Sequence, residues 1–584
     1  MITRLFKNKI LLLIIVVIAT FLRFYQLGTN PPSLTWDEAA LGYNAYSLGL
    51  DGKDEFGRFL PYDYLESFGD FKPPVYAYLD IIPIKIFGLN EFAVRFPSAF
   101  FGVLTVLITY FLVLRIFNNR KWEIGSGKVD KEVGSENKRS HFSPQFPISH
   151  LALLTSFLLA ISPWHINLSR AAFEANIATF FIVTGVWLFL TGVQKSSVPG
   201  SNKKWFLVLS AVSFALSIYT FNSARIVALI LIFILATGFR HSLFRIKKQV
   251  LVACIIGFLF ILPTLNFLLS PQASLRFREV NIFSDISIIE RTNQEIANDN
   301  NARWSKIIHN RRFAYGVEFL KHYFDNLNPD FLFIKGDGNP KFSTRDVGQL
   351  YIWEIPFLIA GILFLVKNRQ GVWWIIPLWL LAGIIPAATA RETPHALRIE
   401  ATLPTFQILV AYGIAILFKR ISNIQFQISN FKLNRLVFCA FIFVVIINFL
   451  YYIHGYYAHY PKQYSGEWQY GYKDAISYVK NVEKNYDRIY FTEALGRPYV
   501  YFLFYTNYSP EEFRKSSIVE REVLGFVHVN GFDKYRFAKN ITGDNESGRK
   551  ILYIDVPNSV PINANIQKEF YLLNGEKVLA AYIL

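Results

Sequence analysis

The sequence predicts a polytopic α-helical membrane protein of about eleven transmembrane helices, with extracytoplasmic loops carrying interfacial helices and a small C-terminal α/β extracytoplasmic domain. Three observations carry that expectation. Of the 584 residues, 52% are hydrophobic and only 18% are charged, against about 25% charged in ordinary soluble domains. Apolar runs recur from residue 9 to residue 453. The segments joining them alternate between basic and non-basic.

The expected spans are 9–27, 92–117, 148–164, 171–193, 205–222, 224–239, 249–270, 350–366, 372–390, 401–418 and 436–453. The first follows a short basic start (Arg4, Lys7, Lys9), and no small-residue cleavage site comes after Ile10–Leu22. It reads as a retained span and not as a removed signal peptide. With the N-terminus in the cytoplasm, the inner loops carry Arg120 and Lys121, then Lys195, Lys203 and Lys204, then Arg240, Arg245, Lys247 and Lys248, then Lys367 and Arg369, and finally Lys419, Arg420, Lys432 and Arg435. Every alternate loop is basic, which places a multi-pass protein in the cell membrane with its C-terminal domain outside. The net charge of +17 is therefore a topology signal, and no nucleic-acid partner is expected. Cys254 and Cys439 both sit inside apolar runs, so neither disulfides nor a cysteine metal site is supported.

The expected division is a membrane domain over 1–453 and an extracytoplasmic α/β domain over 454–584. Two long outer loops belong to the first, 28–91 and 271–349. In the first loop, "FKPPVYAYLDIIPIKIFGL" is apolar but broken by prolines, which suits helices lying along the interface. The second loop reads as polar and irregular. In the tail, "GYKDAISYVKNVEKNYDRIYFTEA" reads as a helix then a strand, and "GRKILYIDVP" as another strand. The inner loop 118–147 is mixed-charge and poor in apolar residues, so disorder is expected there.

Two groups of residues carry chemistry. In "TWDEAALGYNAY", Thr35-x-x-Glu38 is a capping box and Asp37 sits where the helix dipole favours an acid. The same adjacent carboxylates, Asp37 and Glu38, also suit acid–base work at a membrane surface. The other first-loop acids, among them Asp54, Glu55, Glu66 and Asp70, read mostly as solvated. The second group is basic and lies at outer span ends: Lys72, Arg95, Arg170, Arg225, Arg391, His395 and Arg398. Each alone reads equally as a snorkelling side chain. Together they run against the positive-inside bias, and a lipid phosphate is the anion they would meet at a bilayer. His165, beside Trp164, suits phosphate or metal binding and interfacial packing equally. Glu174 is spaced to pair with Arg170 at i,i+4, and "KGDGNP" (335–340) reads as a glycine-rich turn.

"PPSLTWDEAALGYNAYSL", "FGDFKPPVYAYL" and "NEFAVRFPSAFFGVLTVLITYFL" resemble the GT-C membrane glycosyltransferases, and within them the bacterial dolichyl-phosphate-mannose protein mannosyltransferase-like group that includes the aminoarabinose lipid A transferases. "AISPWHINLSRAAFEAN", "IYTFNSARI", "FLFIKGDGNPKFS" and "TPHALR" extend the similarity over roughly residues 10–420. The resemblance implies transfer of a sugar from a polyprenyl phosphate to an acceptor hydroxyl outside the membrane, usually with inversion. It places the loop acid on Asp37 with Glu38 beside it, and basic residues at Lys72 and Arg95. The aminoarabinose enzymes carry an acid directly before their lysine. Here that place is Phe71 and the acid is Asp70, which is a candidate site residue, but metal ligation does not carry over. A divalent ion remains compatible with the chemistry, and no other cofactor is implied. The acceptor could be a protein, a lipid-linked glycan or a surface polymer. A flippase for lipid-linked sugars would share the spans and cations, but it needs neither the paired acids nor the outer tail, and no symmetry between halves is visible.

Overall fold

The computed structural model describes residues 2–118, 147–196, 205–270, 273, 280–425, 431–521, 527–541 and 548–584. Apart from its end residues, the inner loop expected to be disordered lies outside them.

The chain begins with α1 (Ile2–Phe24), turns through 25–34, and enters α2 (Trp36–Asp51). A hairpin of β1 (Leu65–Ser67) and β2 (Asp70–Lys72), then α3 (Val75–Phe87), completes the first outer loop. α4 (Glu91–Ile116), α5 (Ile148–Ile161), α6 (Pro163–Ser169), α7 (Glu174–Ser196), α8 (Trp205–Ile218) and α9 (Asn222–Gly238) follow. Further apolar helices occupy Lys247–Leu268, Ile355–Asn368, Ile375–Ala388, Thr405–Gln425 and Phe431–His454. A helix lies at every expected span. Among the described residues, five helices are long and apolar enough to cross a membrane, or six if the bent pair α5–α6 is one span. α8, α9 and Ile375–Ala388 are shorter apolar helices.

The 58° bend between α5 and α6 has a local cause. Pro163 lacks the amide needed to continue α5, and Ser162 caps the new helix by accepting from the His165 amide. α3 shows the split expected of an interfacial helix. Tyr76, Ala77, Asp80 and Ile84 are buried while Ile82, Ile86 and Phe87 are exposed. The second outer loop differs from its expected irregularity. It contains helices over Ile286–Asn298 and Arg311–Asp325. Their apolar residues recur at helical spacing among many charges, a pattern that reads as polar on average but folds as an amphipathic helix.

The tail forms a seven-stranded mixed sheet in the order β4-β5-β6-β3-β7-β9-β8. Its strands are β3 (Arg488–Thr492), β4 (Ile518–Arg521), β5 (Val527–Phe532), β6 (Tyr535–Ala538), β7 (Ile551–Asp555), β8 (Asn565–Tyr571) and β9 (Lys577–Ile583). The helix over Tyr472–Val482 precedes the central strand β3, and "ILYID" is its fully buried neighbour β7. Helix Pro498–Tyr505 connects the sheet to the first outer loop. One core holds Ala40, Tyr43 and Tyr76 from the loop with Phe491, Phe502, Phe532 and Leu552 from the tail. α2 can lie this close only because residue 42 is glycine. A Cβ there would sit 2.5 Å from Val94 and 2.7 Å from Phe504. Polar ties reinforce the contact: Lys473 to Glu91 at 2.8 Å, Arg521 to Glu66 at 2.5 Å, and the Tyr501 hydroxyl donating to the Leu34 carbonyl at 3.0 Å.

Candidate active site

The site is built on the turn between α1 and α2, whose backbone carbonyls have no helical or sheet partners. Two buried arginines supply donors instead. Arg95 of α4 donates to the Leu27 carbonyl at 3.2 Å, to Pro31 at 2.8 Å and to Ser33. Arg170, just after α6, donates to Leu22 at 2.9 Å, to Asn30 at 2.8 Å and to the Tyr456 hydroxyl at 3.0 Å. Both guanidiniums are fully buried. Arg95 and Arg170, expected from the sequence to hold a lipid phosphate, here brace the turn that delivers α2.

At the start of α2 the capping box forms. The Glu38 amide donates to Thr35 Oγ1 and the Thr35 amide donates to Glu38 Oε2. Glu38 also accepts from Arg95 Nε at 2.9 Å and from the Ala172 amide at 3.0 Å. With 1% exposure and both oxygens engaged, Glu38 holds the helix start, the capping role that the Thr35-x-x-Glu38 spacing leads one to expect. Asp37 points the other way. Its side chain is 49% exposed and is ion-paired with Lys72.

Lys72 is positioned by the hairpin. Phe68 and Gly69 both have positive φ (44° and 79°), the pattern of a two-residue turn matching strand twist. It pairs Leu65 with Lys72 and Ser67 with Asp70. Burial alone would push the Lys72 ammonium down, but the charges of Asp37, Glu174 and Asp70 outweigh it and raise its pKa. Glu174 thus faces Lys72 and not Arg170, because the Arg170 guanidinium is turned toward α1. Lys72 Nζ also lies 5.1 Å from the centroid of the Phe68 ring, and Arg497 Cζ lies 5.3 Å from the same centroid.

Of the remaining predicted cations, Arg225 stays available. It sits over Phe267 at 5.8 Å, and Phe267 packs on Tyr64 and on Phe71, next to Lys72. Its Nε is buried without a partner among the described residues. Arg391 instead donates to the carbonyls of Asn281 at 3.2 Å and Ser284 at 3.1 Å, and Arg398 to Glu392 at 3.2 Å. His395 is stacked on Phe342, and burial holds its pKa well below the usual range, so it stays neutral. Arg391 and Arg398 donate within and beside the 391–398 segment, while His395 packs on Phe342, next to Lys341, which lies over Trp36. His165 is buried with Nδ1 2.5 Å from an Arg23 nitrogen, inside the helix packing and away from the Asp37 carboxylate. The glycine-rich turn has a use of its own: Asp337 accepts from the Ala396 amide at 2.7 Å. Burial raises its pKa to about 6. Among the described residues, no group of three or more His, Cys, Asp or Glu is placed to hold a metal ion.

A family model described as dolichyl-phosphate-mannose-protein mannosyltransferase matches residues 13–122. An uncharacterized protein of Aquifex aeolicus (strain VF5) is 26% identical over 246 residues, 42% of this chain; the match spans only 39% of that protein. The apo crystal structure of ArnT from Cupriavidus metallidurans aligns over 97% of both chains with a TM-score of 0.54 at 11% identity. The fold is that of the GT-C glycosyltransferases. The form of that ArnT bound to undecaprenyl phosphate aligns over the same shares with a TM-score of 0.51. The archaeal oligosaccharyltransferase AglB from Archaeoglobus fulgidus gives 0.48 over 86% of this chain and 64% of its own.

The GT-C fold here is a multi-pass membrane protein whose outer loop carries more than sequence reading assigned. Asp54, Glu55 and Glu66 are buried, not solvated. Glu55 accepts from Tyr499 at 3.0 Å, Asn44 at 3.1 Å and Ser67 at 3.2 Å. Burial lifts its pKa to about 8. The Tyr499 hydroxyl also accepts from the Phe68 amide at 3.2 Å, so the tail grips the tip of the Lys72 hairpin. Tyr499 and Arg497 carry no local motif, and only the fold brings them to the loop.

Proposed function

We propose that this chain transfers a sugar from a polyprenyl-phosphate donor to an acceptor hydroxyl on the extracytoplasmic side of the cell membrane, with inversion at the anomeric carbon. The observation that carries the reading is the pairing of a half-exposed carboxylate, Asp37, with a buried ammonium, Lys72, at a braced helix start. A sugar or protein hydroxyl is a poor nucleophile near neutral pH, so Asp37 accepts its proton as the new C–O bond forms. The bond between the anomeric carbon and the phosphate oxygen breaks, and its electron pair leaves with the polyprenyl phosphate. Lys72 and Arg225 stabilise that growing charge. One carboxylate suffices, because phosphate needs no general acid to depart. Lys72 already lies in hydrogen-bond contact with Asp37, which keeps base and leaving-group site adjacent.

In this reading the N-terminus is cytoplasmic, residues 1–453 form the catalytic membrane domain, and residues 454–584 form an extracytoplasmic domain that works with the first loop. The acceptor is a protein, lipid or glycan hydroxyl. The family model over 13–122 and the ArnT bound to undecaprenyl phosphate support the donor class. The test is sugar transfer by the purified full chain from polyprenyl-phosphate sugars. Movement of the donor across liposomes without transfer would replace this reading with a flippase.

A further inference from the structure

Four contacts and the chain itself close a ring beside the proposed base. Asp37 pairs with Lys72; Lys72 and Arg497 both lie within 5.3 Å of the Phe68 centroid; Gly496 abuts Trp36; and Trp36 precedes Asp37. The backbone at Gly496 has φ +126°, and a Cβ there would lie 2.9 Å from the Trp36 ring. That close approach sets Arg497 against the site. A second cation arrives from the outer loop: Lys341 Nζ is 4.9 Å from the Trp36 centroid.

Neither Arg497 nor Lys341 has a side-chain hydrogen bond or an ion pair within 4 Å among the described residues, although both are half-buried. Glu493 is the carboxylate whose charge Arg497 feels, without forming an ion pair. Arg95, Arg170 and Arg391 by contrast place donors on backbone carbonyls. A half-buried guanidinium and ammonium laid over aromatic faces, with water partly excluded and no protein acceptor, await an anion.

We propose that Arg497, over Phe68 and next to the Gly496 that abuts Trp36, and Lys341, over Trp36, form an anion subsite that takes a phosphate group of a bound substrate. Arg supplies a planar fork and Lys a point charge, a pairing suited to phosphate oxygens. The phosphate comes either from the lipid carrier or from a phosphorylated acceptor. Calling the ligand a substrate rests on the transferase reading, but the binding itself does not.

The test uses the full chain in lipid nanodiscs and two probes, undecaprenyl phosphate and glycerol phosphate, titrated separately against wild type, Arg497→Gln, Lys341→Gln and Arg497→Lys. Loss of one charge-assisted contact should weaken one probe by about tenfold or more in both Gln variants, with partial recovery in Arg497→Lys. Weakened undecaprenyl phosphate assigns the subsite to the carrier. Weakened glycerol phosphate, with the lipid unchanged, assigns it to the acceptor. Unchanged binding of both probes in both Gln variants overturns the proposal. If Arg497→Gln fails to fold, Lys341→Gln decides alone, because its side chain makes no polar contact that folding needs. Lost phosphate binding in a chain that never transfers sugar would defeat the transferase reading and leave the subsite standing.

Discussion

Glu38 and Arg95 form an ion pair at 2.9 Å with side-chain exposures of 1% and 0%, one residue away from the half-exposed Asp37. Adjacent acids therefore have opposite environments. Removing one partner strands a buried charge. Glu38→Ala or Arg95→Met should cost about 3–5 kcal/mol of stability, measured by denaturation in detergent. Asp37→Asn should cost less, because Glu174 and Asp70 still answer the charge of the buried Lys72.

The same Asp37→Asn chain should lose sugar transfer by about 10²–10⁴-fold, the usual worth of a positioned base. Lys72→Gln should also impair transfer while leaving insertion intact. Rates from a polyprenyl-phosphate donor check both. An Asp37→Asn variant that turns over like wild type would remove Asp37 from the chemistry.

Glu55 makes the loop–tail contact sensitive to pH. Burial favours its neutral form, raising its pKa from 4.5 to about 8 on folding. The native state therefore holds a proton that the unfolded chain releases above pH 4.5. The stabilisation is complete below that value and is lost as pH rises through about 8. Stability of the full chain should fall over this window, and Glu55→Gln should flatten the slope by removing the titration.

Gly496→Ala should loosen the wall behind Trp36. The added methyl meets the ring at 2.9 Å, and φ +126° is strained for any L side chain. A loss of about 1–3 kcal/mol is expected. The transfer rate should fall while the membrane helices, followed by far-ultraviolet circular dichroism, remain.

Helix positions were legible because apolar runs of span length announce themselves. The Thr35–Glu38 cap was legible because its four residues are contiguous. Lys72 was within reach for a similar reason, through the proline-rich stretch that follows it. The fates of Arg95 and Arg170 were not. An outer arginine facing lipid phosphate and one bracing a buried turn have the same sequence signature, and only the carbonyls of Leu27, Pro31 and Asn30 tell them apart. The amphipathic helices of the second loop were missed because charge masked their period. Arg497 and Tyr499 were out of reach, since no local pattern links residues on opposite ends of a chain.

The shared core of loop and tail has a consequence for biosynthesis. Leu34 and Tyr501 are 467 residues apart in the chain yet hydrogen-bonded at 3.0 Å. The segment carrying Asp37 is therefore translated long before the segment that packs against it. A chain still on the ribosome thus holds α2 without the packing partners Phe502 and Leu552 that complete its core. A chain cut before Tyr501 would lack the partner that holds the Leu34 carbonyl at the start of α2.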